Sequence, residues 1–368
     1  MQVVVLCDDN RLGQVVLDTL HANSAKSWLI YTNRAKPLRF SRSAIPLMAV
    51  QGALATQTDA MVQAINRLHN EHRIDSVLAT DVRGALFLCD NRDRLGPPVF
   101  PLPDRATLQT LDDKWRFYLY CQKLGLPVPK TLCFETRAID VREVEQEIGF
   151  PTVMKPLNEN GGRGFAVARN RDHLKVCVAN YRYRFVLFQK YIAGNDLGLS
   201  LFAQDGRIRS VAAFRCGPKL RTEFADLPVF AHICERIIAS TNYTGVANFD
   251  ARIDSAEQIS LLECNPRFFA RLNAVRLAGL DLLRMGLPGV EPSGGSQAVG
   301  TVFSRGDIRG ISRMLYDSST ARTMIRSWSE FLADPAPYLV ARLRGVSVGH
   351  SFPFGAGHAA PADAEKVH

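Results

Sequence analysis

Several signatures are missing from this chain of 368 residues, and each absence removes a class of function. Its eight cysteines (Cys7, Cys89, Cys121, Cys133, Cys177, Cys216, Cys234 and Cys264) form no CxxC pair and no cluster with histidine. That argues against a zinc site and a disulfide framework, and suits reduced thiols in a cytoplasm. No stretch of about 20 apolar residues occurs, so a membrane-spanning helix is not expected. The opening "MQVVVLCDDN" reaches two aspartates after an apolar run too short for a signal peptide. No internal repeat is visible. The expectation is a soluble, cytoplasmic protein.

What is present is ordinary globular composition, with 46% hydrophobic and 22% charged residues, in a chain long enough for two or three domains. The formal charge of +9 is compatible with an anionic ligand, a nucleic acid or an acidic membrane surface, and its sign does not choose among them.

The first hundred residues alternate between strand and helix. "VVVLC", "WLIYT" and "SVLAT" read as buried strands, and "RLGQVVLDTLHA" and "DAMVQAINRLHNEH" as amphipathic helices, before a proline-rich exit at "PPVFPLP". Strands separated by helices predict a parallel sheet. This is a small Rossmann-like α/β domain over residues 1–105, without the dinucleotide glycine fingerprint. A helix follows in "LDDKWRFYLYCQKLGL", with Asp112 or Asp113 near its start and Gly125 closing it. After a helix at "DVREVEQEIGF", the segment "FVLFQKYIAGNDLGLSLFAQDGRIRSVAAFR" has apolar strands broken by turns, an antiparallel texture. A helix "VFAHICERIIAST" and two strands, "GVANFDARID" and "ISLLECNPRFF", complete the central part. From residue 291, "EPSGGSQAVG" reads as a linker into a basic helical extension (291–368) carrying Arg305, Arg309, Arg313, Arg322, Arg326, Arg342 and Arg344, with a disordered tail. That basic stretch reads as a solvated helix face.

Two stretches carry chemistry. In "FPTVMKPLNENGGRGFAV" a lysine ends a strand, and glycines with an arginine precede another strand. Glycine lets backbone N–H groups approach an anion, yet neither GxxxxGK[ST] nor GxGxxG fits this stretch. A glycine-rich structural hairpin explains it equally well when taken alone. In "NFDARIDSAEQISLLECNPRFF", Asp250 lies on one strand while Glu263 and Asn265 lie two apart on the next, hence on one face. If the strands pair through "DSAEQ", two carboxylates and an amide converge, a donor set that suits Mg²⁺ bridging phosphates. The alternative is the wet face of a surface hairpin.

The lysine in "DDKWRF", then "FPTVMKP" with "GGRGF", "FQKYIAGND", "GVANFD" and "LLECNPR" occur in this order. Together they resemble the ATP-grasp superfamily, in its carboxylate–amine ligase branch related to carbamoyl phosphate synthase and biotin carboxylase. The resemblance spans about residues 107–290. It implies a multidomain chain of α/β and α+β parts: the Rossmann-like parallel domain, then a two-lobed ATP-grasp fold with antiparallel sheets over 106–290, with a mobile lid about 128–188. It also implies roles. Lys114 and Lys155 would meet the nucleotide phosphates, and Gly161, Gly162, Arg163 and Gly164 would form the closing loop. Gln189, Lys190, Tyr191 and Ile192 would border adenine, and Asp196 would hold the ribose. Asp250, Glu263 and Asn265 would bind Mg²⁺ or Mn²⁺, with Arg267 facing the transferred phosphoryl group and Arg215 a substrate or phosphate contact. Members often carry an acid where Lys190 stands and a glutamate where Asp196 stands.

The implied reaction is ADP-forming: ATP phosphorylates a carboxylate, and an amine displaces phosphate to give an amide. Small-molecule carboxylate and amine substrates are expected, an amino acid or peptide among them, with no specific nucleic acid and a homodimer as the family's precedent. Three alternatives are a kinase of the same fold, a non-catalytic nucleotide-binding protein and a nucleic-acid binder. The last is prompted by "NYRYRFVLF", which also fits an ordinary strand.

Overall fold

The run Val3–Cys7 is buried along its whole length, and no position alternates outward. That is the signature of a strand covered on both faces, and it forms β1 (Gln2–Cys7) at the interior of a parallel sheet. The computed structural model of the chain describes residues 1–159, 163–216, 221–289, 298, 300–303 and 318–345. β1 pairs in parallel with β2 (Lys26–Thr32) on one side, Val3 opposite Ser27, and with β4 (Ser76–Ala79) on the other, Val3 opposite Ser76. β3 (Ile45–Val50) extends the order to β3-β2-β1-β4. Helices α1 (Asn10–Ala22), α2 (Thr58–His72) and α3 (Val82–Asn91) connect the strands. The sequence expectation thus missed two elements here, β3 and α3. β3 is an edge strand, mostly half-buried or exposed and containing Pro46, so its hydrophobic signal is weak.

The chain forms two units. The first comprises Met1–Leu108, Gly198–Asn248 and the described residues from Asn265 onward; the second comprises Gln109–Leu197 and Phe249–Cys264. A six-stranded sheet has the order β13-β12-β9-β10-β11-β14. Its members are β9 (Asn195–Gln204), β10 (Arg207–Cys216), β11 (Arg221–Phe224), β12 (Gly245–Ile253), β13 (Ile259–Asn265) and β14 (Thr301–Phe303). In the first unit, Phe202, Phe214, Phe224 and Phe268 share one core with β1 and α1. α8 (Pro228–Ser240) starts on a proline and buries Phe230, Ile233, Cys234, Ile237 and Ile238.

The second unit holds the antiparallel sheet β5-β8-β6-β7, made of β5 (Thr131–Glu135), β6 (Thr152–Lys155), β7 (Ala166–Ala168) and β8 (Phe185–Lys190). α4 (Arg105–Asp112) leads to α5 (Lys114–Lys123), whose N-cap is Asp113: its carboxylate accepts from the amides of Trp115 and Arg116. α6 (Val141–Glu147) and α7 (Arg171–Ala179) bury Val144 and Leu174 against Met154, Val186 and Phe188 of the sheet. Parallel and antiparallel sheets therefore occur as the sequence reading anticipated.

After α9 (Leu272–Leu277), helices α10 (Ser318–Ala333) and α11 (Ala336–Leu343) belong to the first unit. Arg326, Arg342 and Arg344 are exposed, while Phe331 and Tyr338 are buried. Arg305, Arg309 and Arg313 lie outside the described residues. Arg276 donates to Glu330 at 2.6 Å, and the Tyr338 hydroxyl donates to Asp18 at 3.0 Å. Asp334, 3% exposed, accepts from the Ser41 hydroxyl and from the Arg42 amide at 3.0 Å. Asp334→Ala strips the buried Ser41 hydroxyl and the Arg42 amide of their acceptor, a loss of about 1–3 kcal/mol. The unfolding midpoint should fall by several degrees, whereas Arg344→Ala should leave it within a degree; thermal denaturation of the two variants checks this.

Candidate functional site

In the second unit, two lysines that start and end different elements act electrostatically on the same carboxylate. Lys114 is the first residue of α5, and capping by Asp113 fixes where that helix begins. Its ammonium lies 3.3 Å from Glu263 Oε2 on β13 and donates to the Glu159 carbonyl at 3.0 Å. Lys155 ends β6 and is buried; its ammonium donates to Gln189 Oε1 at 2.9 Å, and Gln189 Nε2 donates in turn to Thr131 Oγ1 at 2.9 Å. Gln189 therefore turns its side chain toward Lys155 and holds it.

Burial makes every charge here costly, so the charges set one another's titration. Burial alone would raise the Glu263 carboxyl, but Lys114 and Lys155, together with a hydrogen-bonding contact to Asp250, hold it down at about 2. Burial lowers Lys155 to about 8, with Lys114 pushing the same way and Glu263 and Asp250 opposing. Glu263 is thus a carboxylate at any physiological pH. Its side chain keeps 27% of its surface exposed against 9% for Lys114, so the cluster has one open side. Asp250 and Glu263 sit on β12 and β13, neighbours in the sheet, and Asp254 closes the turn between them by accepting from the amides of Ala256 and Gln258. The strand pairing on which the metal reading depended is present.

Oxygen donors dominate, which suits Mg²⁺ or Mn²⁺ over softer metals. Among the described residues no three of His, Cys, Asp and Glu converge as a metal cluster. A cation here would rest on Asp250, Glu263 and oxygens supplied by its ligand. Asn265 follows Glu263 by two residues on β13, and its Oδ1 accepts from Arg267 at 2.7 Å. Asn265 and Arg267 belong to the first unit, where Arg267 is 7% exposed and also donates to the Phe268 carbonyl at 2.8 Å. Arg215, on β10 of the same unit, is partly buried and stands opposite Glu223.

The segment after β8 forms a ledge in the second unit. Lys190 is exposed, Tyr191 and Ile192 are partly buried, and the Asp196 side chain is 60% exposed. Arg252, absent from the sequence reading, ties this segment to β12. It donates to the Ile192 carbonyl at 2.7 Å and the Gly194 carbonyl at 2.8 Å, and pairs with Asp196 at 2.9 Å. Its guanidinium lies 5.1 Å from the Tyr191 ring centroid. Gly194, at φ +141°, is pressed so close to β12 that a Cβ would lie 2.0 Å from the Ile253 carbonyl oxygen. The signal was available, since Arg252 stands two residues after Asp250 and so on the same strand face.

Of the glycine-rich loop, Gly161 and Gly162 lie outside the described residues. Gly164 sits at φ +69°, where a Cβ would come within 2.5 Å of the Tyr183 ring, so glycine is required there. Arg163 is exposed and 3.8 Å from Glu159.

Comparison with known proteins bears on the family and the fold. Residues 111–271 match the ATP-grasp domain family. The D-aspartate ligase of Enterococcus faecium is 24% identical over 218 residues, 49% of this chain and 51% of that protein. The carbamoyl phosphate synthase large chain of Deinococcus radiodurans is 35% identical over 110 residues, 30% of this chain and 10% of that one. The chain thus spans about half the length of the first relative and a tenth of the second. Among solved structures, N5-carboxyaminoimidazole synthetase from Staphylococcus aureus, complexed with ADP, superimposes with a TM-score of 0.60 at 14% identity, covering 85% of each chain. At that identity the likeness shows the fold.

Arg252→Ala removes two hydrogen bonds and an ion pair from the ledge. Amide hydrogen exchange over residues 192–196 should quicken about tenfold or more, while exchange in β6 stays as it was, as read by mass spectrometry of the two proteins.

Proposed function

From the ATP-grasp domain that this chain carries over residues 111–271, we propose that the protein is an ADP-forming ligase that joins a carboxylate to an amine. The observation that carries the proposal is the cluster of Lys114, Lys155, Asp250 and Glu263, two cations and two carboxylates packed together with one open side. Such a set suits a polyphosphate and its counter-cation, because the lysines can exchange a carboxylate partner for phosphate oxygens.

In this reading Gln189, Lys190, Tyr191 and Ile192 border the adenine. Gln189 supports that border from within, since its side chain is committed to Lys155 and its backbone lies between β5 and β6. Asp196 holds the ribose hydroxyls, and Arg252 fixes both the ledge and the Asp196 carboxylate. Gly161, Gly162, Arg163 and Gly164 cover the phosphates. Asp250 and Glu263, with Asn265, would hold Mg²⁺ or Mn²⁺, which supplies charge neutralisation to the phosphates when bound. The donor set fits: Glu263 is ionised and both carboxylates lie on paired strands.

A carboxylate reacts poorly with amines because an oxide would have to leave. Attack of a carboxylate oxygen on the γ-phosphorus, with departure of ADP, converts that oxygen into part of a phosphate leaving group. The amine nitrogen then attacks the acyl carbon, the C–O bond to phosphate breaks, and the nitrogen loses a proton. The chain's work is to hold two anions together and keep water from the acyl phosphate. Lys114 and Lys155 neutralise the transferred group, with Arg267 and Arg215 assigned to the phosphoryl group and the substrate. The likeness to a D-aspartate ligase favours an amino acid among the substrates. A cytoplasmic setting, in keeping with eight free cysteines, and a homodimer belong to the same proposal.

Unfolding of the full chain with ADP tests the nucleotide site. At about 100 times the dissociation constant, ADP should add roughly 2.7 kcal/mol and raise the midpoint by a few degrees. The rise should require Mg²⁺ and vanish in Glu263→Gln. Incubation with ATP, candidate carboxylic acids and hydroxylamine should then yield ADP and an acyl hydroxamate. ADP released with a phosphorylated acceptor and no hydroxamate would favour a kinase of this fold, and no shift with any nucleotide would sink the proposal.

A further inference from the structure

The first unit contains a second group of opposed charges at the carboxyl ends of β1, β2 and β4. Ligands of open parallel sheets settle where the strand order reverses direction. In the order β3-β2-β1-β4 that point lies between β1 and β4, at Asp8 and Asp81.

Asp8 is 7% exposed and organises the crevice. Its Oδ1 accepts from the Thr32 hydroxyl at 2.6 Å, and its Oδ2 accepts from Arg83 at 2.6 Å with Arg34 at 3.8 Å. The Asp8 amide donates to Asp81 at 2.8 Å, and Asp81 also accepts from the Thr80 hydroxyl at 3.0 Å and the Gly84 amide at 3.1 Å. One buried carboxylate thus draws two arginines from different connections to one point, and a second locks the strand ends beneath them. Both arginine side chains remain more than half exposed, Arg34 at 60% and Arg83 at 56%. A guanidinium has five N–H donors, and Asp8 engages a single short bond from Arg83.

An isolated surface ion pair is worth about 0–1 kcal/mol and needs no buried organiser. Here the scaffold is tight: a Cβ on Gly13 would meet Cys7 Sγ at 2.3 Å, and one on Gly84 would meet Ala79 Cβ at 2.8 Å. Both helices are pressed onto the strand ends, and their first turns are capped by Asp9 and Asp81. The turn where a dinucleotide fold keeps glycines for a pyrophosphate reads "CDDN" here, and its aspartates disfavour a multiply charged phosphate. A single carboxylate matches the planar fork of each arginine.

We infer that the crevice at the ends of β1, β2 and β4 binds the carboxylate of a small organic acid or amino acid through Arg34 and Arg83, with Asp8 orienting both. The choice of ligand class rests on the ligase reading; the geometry does not. Titration calorimetry of the full chain with D-aspartate, L-alanine and succinate, and with inorganic phosphate as comparator, tests it. At least one carboxylate should bind, and Arg34→Gln should weaken it tenfold or more without altering the Mg²⁺-dependent ADP shift. Arg83→Lys should weaken it as well. If Arg83→Lys unfolds because Asp8 loses its partner, Arg34→Gln, which leaves the Arg83–Asp8 bond in place, still decides. No binding by any of the carboxylates, an affinity unchanged in Arg34→Gln, or tighter binding of phosphate would each overturn the inference. Arginine-dependent carboxylate binding without any ADP shift would retain this site and remove the ligase reading. In the hydroxylamine assay, a raised KM for the bound acid in Arg34→Gln identifies it as substrate, and an unchanged KM identifies an effector at the same site.

Discussion

An ion cluster of partly and fully buried groups ties together four elements of the second unit. Lys155 and Lys114 cannot be buried separately as cations, because removing an ammonium from water costs several kcal/mol without a partner. Glu263 is that partner for both, and its depressed titration, about 2, is the other face of the same interaction. The cluster exists only if α5 begins at Lys114, β6 ends at Lys155, and β12 and β13 pair around the Asp254 turn. The N-cap on Asp113, the Gln189 relay to Thr131 and the turn hydrogen bonds are each local devices, and they meet in one place.

The elements built on uninterrupted apolar runs were legible in the sequence. β1, β2 and β4 are buried on both faces, so their composition alone announces them. β3 was not, because an edge strand with an internal proline carries little of that signal. Asp250 and Glu263 were legible as types, since carboxylates in apolar strands are conspicuous. Lys155 was legible as a lysine ending an apolar strand, while Lys114 entered only through motif order. Arg252 shares the strand face of Asp250 by spacing, but its role escaped because two of its partners are backbone carbonyls, which leave no trace in a sequence. Asp8 with Arg34 and Arg83 escaped for a related reason: their convergence is a property of strand order.

The C-terminal segment shows how composition misleads when charge is counted without its faces. Its arginines suggested a solvated helix, and Arg326, Arg342 and Arg344 do lie exposed. Yet the opposite side packs Trp328, Phe331 and Tyr338 together and sends Glu330, Asp334 and Tyr338 into polar bonds with the first unit. Long basic side chains and a buried aromatic stripe are the two sides of the same amphipathic helices.

The overall charge of +9 narrows in meaning once its cations are located. Arg276 faces Glu330, Arg252 faces Asp196 and Arg83 faces Asp8, so these arginines serve contacts within the chain, while the net excess remains. The stretch "NYRYRFVLF" has a comparable explanation. Arg184 lies 5.1 Å from the Phe185 ring and 3.3 Å from Glu135, while Tyr181 and Tyr183 pack on each other at 5.3 Å. The two tyrosines precede β8, and Tyr181 packs on the core of the second unit. What the two charge clusters share is a carboxylate, half-buried at Glu263 and buried at Asp8, that stands beside cations. The same pairing of a carboxylate with cations from separate elements is thus found in both units.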